Sequence, residues 1–481
     1  MDRSQFSAGA EEVLGYFYDI SQIPRQSGNN DRMSDYLRKF GKDLGLPTSV
    51  DSAGNVMITK PASPGCEGAI PVTLEAHYDM VCEKVPDSRH DFQLPLELRR
   101  DGDRIFAEGT TLGADNGLGM AAIMAVLAGN MPHPPLEAIF TASEETDMAG
   151  ARGLDISRLA GKLLLTLDSR ALLCCGAGEL EMEITLPVKT VEPPLDSRYC
   201  RLEVSGLRGG HTGSNAMDEP GNAIILLSRV LLEFKKAGVS FLLGGMRGGS
   251  GSPSAFAREA RCILCLRPTQ VQTAEKIASS LQTVFAQELR GRSDGIKVSL
   301  TTADPAETCF SSETAERLLR LLSLLPDGIC TINHDFPGAM ESSANCGFIS
   351  TGAEEISLLV LIRSTCGSRK YVLMDKINIL CSLTGAAWRI CHDLPQWDQN
   401  VPQDILNIAR EIYYEQEPQV SQGTLECGVF QAGRPDLYLL GVGLPYYYQH
   451  SPAEYALVSE TALYWDKLKT FLAALSKKVT V

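Results

Sequence analysis

Five short polar clusters, each following an apolar run, hold the residues of this chain that suit metal chemistry. The clusters are LEAHYDM, LGADNGLG, TASEETD, LLLTLDS and YQHSPAE. Their candidate residues are His77, Asp79, Asp115, Glu144, Glu145, Asp168 and His450. Imidazole and carboxylate donors without a thiolate suit zinc, cobalt or manganese. The clusters therefore predict a hydrolytic centre for divalent metal ions.

Each cluster alone also has an ordinary structural explanation. Asp79 could hold one ring nitrogen of His77 while the other binds metal, or the pair could be a plain hydrogen bond at a strand end. Asp115 fits a helix N-cap as well as a carboxylate that bridges two metals. Glu144 and Glu145 fit a solvated acidic loop, or a pair in which one acid binds metal and the other transfers a proton.

Asp168 and His450 are the weakest candidates when taken alone. Asp168 ends an apolar run, where an aspartate is more often a turn former. His450 precedes SPAE, in which Ser451, Pro452 and Glu454 match an N-cap, a first helical position and a capping box. We therefore expect a helix to begin at this point and to hold the His450 ring at a loop–helix junction.

The positions of the candidate residues in the predicted sheet favour one common site over these separate structural explanations. In an open α/β sheet, sites form at the carboxyl ends of the strands. The candidates that end predicted strands are His77, Asp79, Glu144, Glu145 and Asp168. Asp115 is predicted to begin the helix of the same unit.

Apolar periodicity predicts the elements that carry these residues. NVMITKP and IPVTLEAHYD are typical of neighbouring strands, and the second is almost continuously apolar, as in a strand covered on both faces. ADNGLGMAAIMAVLAGN has helical spacing, and PLEAIFTASEE and KLLLTLDS are typical of buried strands. Alternating strands and helices predict an α/β fold with a mixed, mostly parallel sheet flanked by helices.

The pattern changes near residue 184, where strands such as YCRLEVSGL alternate as if half exposed. Helices such as GNAIILLSRVLLEFKKAG lie between them, which indicates an α+β domain with one sheet face exposed. The α/β pattern resumes near residue 398. We therefore predict a catalytic domain formed by 1–183 and 398–481, with 184–397 as an inserted domain.

Composition limits the possible partners. The chain has 481 residues, 44% of them apolar and 21% charged, and a formal net charge of −15. It has no basic stripe that would bind nucleic acid or an anionic membrane. No apolar run is long enough to span a bilayer, and the acidic N-terminus does not resemble a signal peptide. The 14 cysteines are scattered along the chain, so we expect reduced thiols and a cytoplasmic protein.

Two residues of the inserted domain are further candidates. His211 lies in GLRGGHTGSNAM, where glycines allow close approach of the backbone to a ligand, and Arg363 lies in LIRST. Spacing alone favours a surface histidine in a flexible turn, and it gives Arg363 no specific role.

The motifs in this order resemble those of the cocatalytic dizinc exopeptidases related to carboxypeptidase G and aminoacylase. Within that family, the chain looks most like the aminoacyl-histidine (Xaa-His) dipeptidases. The resemblance runs through SQIPRQSGN, GNVMITKPA, AHYDMVCEK, AEGTTLGADNG, LEAIFTASEE, GGHTG, LIRS, LECGVF and HSPAE, and so covers nearly the whole chain.

The resemblance implies a role for each candidate in a site with two divalent ions, most simply Zn²⁺, with Co²⁺ or Mn²⁺ as alternatives. Asp115 would bridge the ions. His77 and Asp168 would complete one metal shell, and Glu145 and His450 the other. Glu144 would be the general base, and Asp79 would orient His77. The inserted domain would be a lid in which His211 stabilises the oxyanion and Arg363 binds the substrate carboxylate.

Four positions depart from the pattern of the family. Tyr78 replaces a small aliphatic residue, and Arg170 follows LDS where the branch has an acid. Ser250 or its neighbours stand where the family has an asparagine, and Pro220 lies where an arginine is usual. None of the four is a predicted ligand, so the departures concern the substrate and not the metals.

The resemblance implies a metal-dependent dipeptidase that hydrolyses Xaa-His dipeptides such as β-alanyl-histidine. The alternatives are an N-acyl amino acid deacylase of the same family, a tripeptidase, and a binding protein with a degenerate site. The expected partner is a small peptide substrate, and the resemblance is compatible with a homodimer.

Overall fold

The computed structural model describes residues 2–306, 308–414 and 417–477. The chain forms two compact units. The first unit consists of Met1–Gly176, Trp397–Ser421 and Leu425–Val481, and the second of Ala177–Gln396 with Gln422–Thr424.

The part of the chain that precedes the second unit contains both helices and strands. They are α1 (Arg3–Ser7), α2 (Glu11–Ser21), α3 (Asp31–Asp43), β1 (Thr48–Val50), β2 (Val56–Lys60), β3 (Val72–His77), β4 (Leu98–Asp101), β5 (Arg104–Ala107), α4 (Ala114–Ala128), β6 (Leu136–Thr141), α5 (Glu144–Asp147), α6 (Ala149–Gly153), β7 (Leu163–Thr166) and β8 (Leu173–Gly176).

The second unit is richer in strands. Its elements are β9 (Gly178–Pro187), β10 (Thr190–Val191), β11 (Arg198–Ser205), α7 (Ala223–Lys236), β12 (Phe241–Gly248), β13 (Ala260–Leu266), α8 (Val271–Glu288), β14 (Lys297–Thr302), β15 (Cys309–Phe310), α9 (Ser312–Leu324), β16 (Gly328–Ile332), β17 (Met340–Thr351), β18 (Glu355–Ser364), α10 (Gly367–Thr384) and β19 (Ala387–Leu394).

The chain then returns to the first unit. The closing elements are α11 (Gln403–Ile412), β20 (Gln419–Ser421), α12 (Glu426–Gly433), β21 (Tyr438–Gly441), β22 (Tyr455–Leu457) and α13 (Val458–Leu475).

The main sheet of the first unit has the strand order β1-β2-β6-β3-β7-β21-β8-β20. The pairs β3/β6, β3/β7, β7/β21 and β8/β20 are parallel, and the other neighbours are antiparallel. Every residue of β3 is buried, and so is every described side chain of α4 from Ala114 to Leu127. The predicted mixed, mostly parallel sheet is therefore confirmed.

One predicted neighbour relation is wrong. NVMITKP forms β2, but β6 lies between β2 and β3 and pairs with both. The order of strands depends on long-range packing. Strand β6 follows β3 by about sixty residues in the sequence, yet its apolar side chains fill the position between β2 and β3.

The sheet of the second unit has the order β14-β11-β13-β12-β17-β18-β9-β19, with β16 added on β17, and all its pairings are antiparallel. Burial alternates along β9, whose Leu180, Met182, Ile184 and Leu186 belong to the core of this unit. This confirms the predicted α+β class with one sheet face exposed. The predicted boundary at 183/184 falls inside β9, which pairs along its whole length with β18 of the second unit.

Candidate metal centre

Three adjacent parallel strands of the first unit present the candidate residues at one edge of the sheet. His77 is the last residue of β3 and pairs in register with Thr141, the last residue of β6. Glu75 pairs with Thr166, the last residue of β7. Because parallel strands end on the same side, the segments that follow β3, β6 and β7 meet there.

Asp115 lies at the centre of the cluster. Its Oδ1 is 3.2 Å from His77 Nε2, and its Oδ2 is 3.4 Å from His450 Nε2. The two carboxylate oxygens therefore face two different histidines. Asp115 lies near the start of α4, as predicted, but its backbone and that of Asn116 have non-helical angles within this element.

Glu145 lies on the His450 side of the cluster. Its Oε2 is 3.0 Å from His450 Nε2. His450 has a left-handed backbone with φ 57°, as does Ser143 with φ 58°, directly before Glu144. Non-glycine residues in this region are strained, and such positions are concentrated at functional sites.

Asp79 connects the ends of β3 and β6. Its Oδ1 and Oδ2 accept hydrogen bonds from the backbone N–H groups of Glu144 (3.0 Å) and Glu145 (3.2 Å). The hydroxyl of Ser27 donates to Oδ2 at 2.7 Å, and Oδ1 lies 3.5 Å from His77 Nδ1. This buried carboxylate thus fixes the backbone of the two glutamates and lies beside the His77 imidazole.

Potential ligand atoms lie within 4.8 Å of one another in three groups: His77, Asp115 and Asp168; Asp115, Glu145 and His450; and His77, Glu144 and Glu145. The first two groups share Asp115 and correspond to the two predicted metal shells. The third places the Glu144 carboxylate beside both shells.

The charges of the cluster fit bound cations. Burial raises the pKa of Glu144 well above its usual value, and Glu145 raises it further. Burial likewise raises the pKa of Asp168, with Asp115 adding to the effect. For His450, burial lowers the pKa, but the Asp115 and Glu145 carboxylates outweigh it and raise the pKa to about 10. Four buried or half-buried carboxylates face two imidazoles, an excess of negative charge that two divalent ions would offset.

The predicted helix at His450 is wrong. Ser451–Glu454 are not helical, Tyr455–Leu457 form β22 on β5, and α13 begins only at Val458. Glu454 does not close a capping box. Its carboxylate instead accepts backbone hydrogen bonds from the loop before Asp115, from Leu112 (2.7 Å), Gly113 (2.9 Å) and Asp115 (3.2 Å).

Two other buried acids near the strand ends were missed. Glu75 lies in β3, and Glu426 begins α12 and accepts a hydrogen bond from the Thr141 hydroxyl at 2.5 Å. Burial raises the pKa of both carboxyls. An acid within the otherwise apolar run IPVTLEA was the sequence signal that could have identified Glu75.

Two of the four departures have structural explanations. The hydroxyl of Tyr78 donates to the carbonyl of Gly54 at 3.0 Å, and its ring is buried, so it is part of the core of the first unit. Arg170 is exposed, and its Nη1 donates to Gln449 Oε1 at 2.9 Å. In the second unit, Pro220 is buried and Ser250 is exposed.

His211 and Arg363 lie together within the second unit. Arg363 is buried, and its Nη1 pairs with Glu179 Oε2 at 2.7 Å. Its Nε donates to the Thr212 hydroxyl at 3.1 Å, and its Nη2 lies 3.4 Å from His211 Nε2. Binding of a substrate carboxylate by Arg363 stays a prediction, and it would have to compete with Glu179 for the guanidinium.

Replacing Glu179 with glutamine is expected to destabilise the protein by about 3 kcal/mol at neutral pH, because it leaves the Arg363 charge buried and unpaired. Burial raises the pKa of Glu179, but Arg363 and His392 outweigh it and lower the pKa to about 2. The lowered pKa means that the wild-type protein loses this contribution as pH falls from about 4.5 to about 2, whereas the variant does not. Urea unfolding at several pH values measures both effects.

Glu183→Gln is the matched control, since Glu183 lies on the same strand and pairs with the exposed Arg389. Its effect is expected to stay below about 1 kcal/mol. Equal destabilisation by both substitutions would contradict the buried Glu179–Arg363 pair.

The comparisons with known proteins identify the family of this chain. The family model described as "Peptidase family M20/M25/M40" matches residues 73–473. The chain belongs to the M20/M25/M40 peptidase family. The prediction of a peptide hydrolase is therefore confirmed, and the residues of the centre fit a metal-dependent member of this family.

Two relatives of this peptidase extend over almost all of its length. The cytosol non-specific dipeptidase of Escherichia coli (strain K12) is 30% identical over 474 residues, which cover 96% of this chain and 97% of the relative. The crystal structure of an aminoacylhistidine dipeptidase from Vibrio alginolyticus superimposes with a TM-score of 0.85 at 30% identity and covers 98% of both chains. This similarity confirms the predicted fold class.

A more distant structure shares the fold of this peptidase. The aminopeptidase PepT from Bacillus cereus matches with a TM-score of 0.59 at 15% identity, over 97% of this chain and 99% of the other. In the described part of the chain, no helix combines the length and apolar character needed to cross a membrane.

Proposed function

We propose that this protein is a dipeptidase that works with two divalent metal ions, most simply Zn²⁺. The observation that carries the proposal is the position of Asp115, whose two oxygens face His77 and His450 separately. A carboxylate in this position would hold both ions. His77 and Asp168 would complete one shell, and Glu145 and His450 the other.

Two bound divalent ions would supply an acidified water and polarise the peptide carbonyl. Glu144 would accept a proton from the water as the water oxygen bonds to the carbonyl carbon, and would deliver that proton to the nitrogen of the leaving amine as the C–N bond breaks. Burial raises the pKa of Glu144, which makes its carboxylate a stronger base toward the proton of a water molecule. Asp79 keeps the His77 ring in place through its contact with Nδ1.

The roles assigned to the second unit are further proposals. His211 would stabilise the oxyanion, Arg363 would bind the substrate carboxylate, and the unit would act as a lid. The two side chains are neighbours within the second unit, where His211 Nε2 lies 3.4 Å from Arg363 Nη2.

We propose dipeptides as the substrates and Xaa-His dipeptides as a preferred class. The support is the similarity, over almost the whole chain, to one relative named a non-specific dipeptidase and another named an aminoacylhistidine dipeptidase. We further propose a cytoplasmic protein that can form a homodimer; the first relative is named for the cytosol.

The test is hydrolysis of a substrate panel by the purified protein loaded with Zn²⁺, Co²⁺ or Mn²⁺. The panel contains β-Ala-His, Ala-His, Ala-Ala, Ala-Ala-Ala and N-acetyl-alanine. We expect dipeptides to be cleaved at least tenfold faster, in kcat/KM, than the tripeptide and the N-acetyl amino acid. Faster cleavage of N-acetyl-alanine would instead identify a deacylase, and no cleavage with any metal would contradict an enzymatic role.

A further inference from the structure

A buried arginine connects the segment that follows His77 with the loop that precedes Asp115. Arg25 lies between α2 and α3 and is 2% exposed. Its Nη1 donates to the carbonyl of Asp79 at 2.8 Å and approaches that of Tyr78 at 3.3 Å. Its Nη2 donates to the carbonyl of Gly113. One guanidinium therefore holds both the segment after His77 and the loop before Asp115.

A buried acid, Glu454, holds the same loop through backbone N–H groups, whereas Arg25 holds it through a carbonyl group. Glu454 is 2% exposed, and its carboxylate accepts hydrogen bonds from the N–H groups of Leu112, Gly113 and Asp115. Arg25 thus satisfies carbonyl groups and Glu454 satisfies amide groups along one short stretch of backbone.

The loop cannot relax without displacing these side chains. Gly113 has φ 68°, a left-handed conformation that favours glycine. A Cβ atom at Gly113 would lie 2.5 Å from Arg25 Nη2 and 2.8 Å from the Met80 sulphur. Arg25 is therefore packed directly against the turn that sets the direction of Asp115.

We propose that Arg25 and Glu454 are positioning residues that hold the Asp115 carboxylate between its two histidines. All the hydrogen bonds given above for them go to backbone atoms, so their effect on the centre passes through the loop. The proposal rests on the two-metal centre proposed above. Groups that orient metal ligands typically change metal affinity 10- to 100-fold when they are replaced.

The test compares the zinc affinity of full-length variants with that of the wild-type protein. Glu454→Gln keeps the size of the side chain but turns an NH₂ group toward N–H donors, and Arg25→Lys keeps the charge but cannot bond to both segments. The matched controls are Asp103→Asn and Arg100→Lys. The native Asp103 accepts a hydrogen bond from the Ser459 N–H, and the native Arg100 donates to the carbonyls of Phe6 and Ala8.

Zinc content is measured after equilibration in buffers of graded free Zn²⁺, and visible absorption is recorded for the Co²⁺-loaded proteins. We expect both test variants to bind zinc about 10- to 100-fold more weakly and to show a changed Co²⁺ spectrum. The control variants are expected to match the wild type in both measurements. Glu454→Asp, which retains the carboxylate, is expected to recover part of the lost affinity.

Wild-type zinc affinity and Co²⁺ spectrum in folded Glu454→Gln and Arg25→Lys proteins would overturn the proposal. If Glu454→Gln does not fold by circular dichroism, Arg25→Lys decides between the same two outcomes. Failure of the underlying function looks different, because the wild-type protein itself would then bind no zinc and cleave no dipeptide.

Discussion

The Glu144→Gln protein is expected to lose about 10⁴-fold in kcat while it keeps the metal content of the wild type. The expected loss is at the upper end of the effect of a general acid–base group, because Glu144 is proposed to act in two successive proton transfers. The metals should stay bound, since each proposed shell is complete without Glu144. Dipeptide hydrolysis and elemental analysis of the same protein sample measure the two properties together.

Asp147→Asn is the matched control for this experiment. Asp147 lies in the same short helix, α5, but its carboxylate accepts from the N–H of Ala149 and is exposed. Its replacement is expected to leave kcat within about twofold of the wild type. If Glu144→Gln kept near wild-type activity, the base would have to be another residue, and a loss of metal would make Glu144 a ligand.

Replacing Asp115 with asparagine is expected to weaken the binding of both metal ions and to reduce activity in proportion. Asparagine keeps the size of the side chain but loses the negative charge and one of the two oxygens that face His77 and His450. Metal content should fall from about two ions per chain toward zero after equilibration in dilute zinc buffer. Titration with a zinc indicator measures both affinity and stoichiometry.

Two further variants, Asp168→Asn and His450→Gln, test whether Asp115 binds both ions. Each of these two residues belongs to only one of the proposed metal shells. Each substitution is expected to remove about one ion per chain and to leave the other in place. If Asp115→Asn removed only one ion as well, Asp115 would be a ligand of a single metal. Unchanged metal content would remove it from the centre altogether.

The sequence was sufficient to predict the strand ends, because β3, β6 and β7 are buried on both faces and therefore have continuous apolar runs. The polar residues that come where each run ends then lie at the carboxyl ends of the strands. This local signal located His77, Glu144 and Asp168, and the fold class followed from the alternation of strands and helices. The geometry now brings these residues together, while their individual roles stay proposals.

What the sequence could not predict depends on contacts between distant parts of the chain. Glu454 matched a capping box locally, but its hydrogen-bond partner Leu112 is 342 residues away. The position of β6 between β2 and β3 is likewise a matter of packing, since nothing in NVMITKP specifies its neighbour. The role of Arg363 was implied by the resemblance and stays a proposal, but no local signal in LIRST indicated its contact with Glu179 on β9.

The division of the first unit into separate stretches of chain has a consequence for biosynthesis. Asp168 is translated before the second unit, whereas His450 and Glu454 emerge from the ribosome only after it. At about 5–20 residues per second, the interval between Asp168 and His450 is about 15–60 s. Throughout this time the nascent chain carries His77, Asp115 and the two adjacent glutamates without the residues that complete their surroundings. The second of the two proposed metal shells therefore cannot be completed before His450 has been translated.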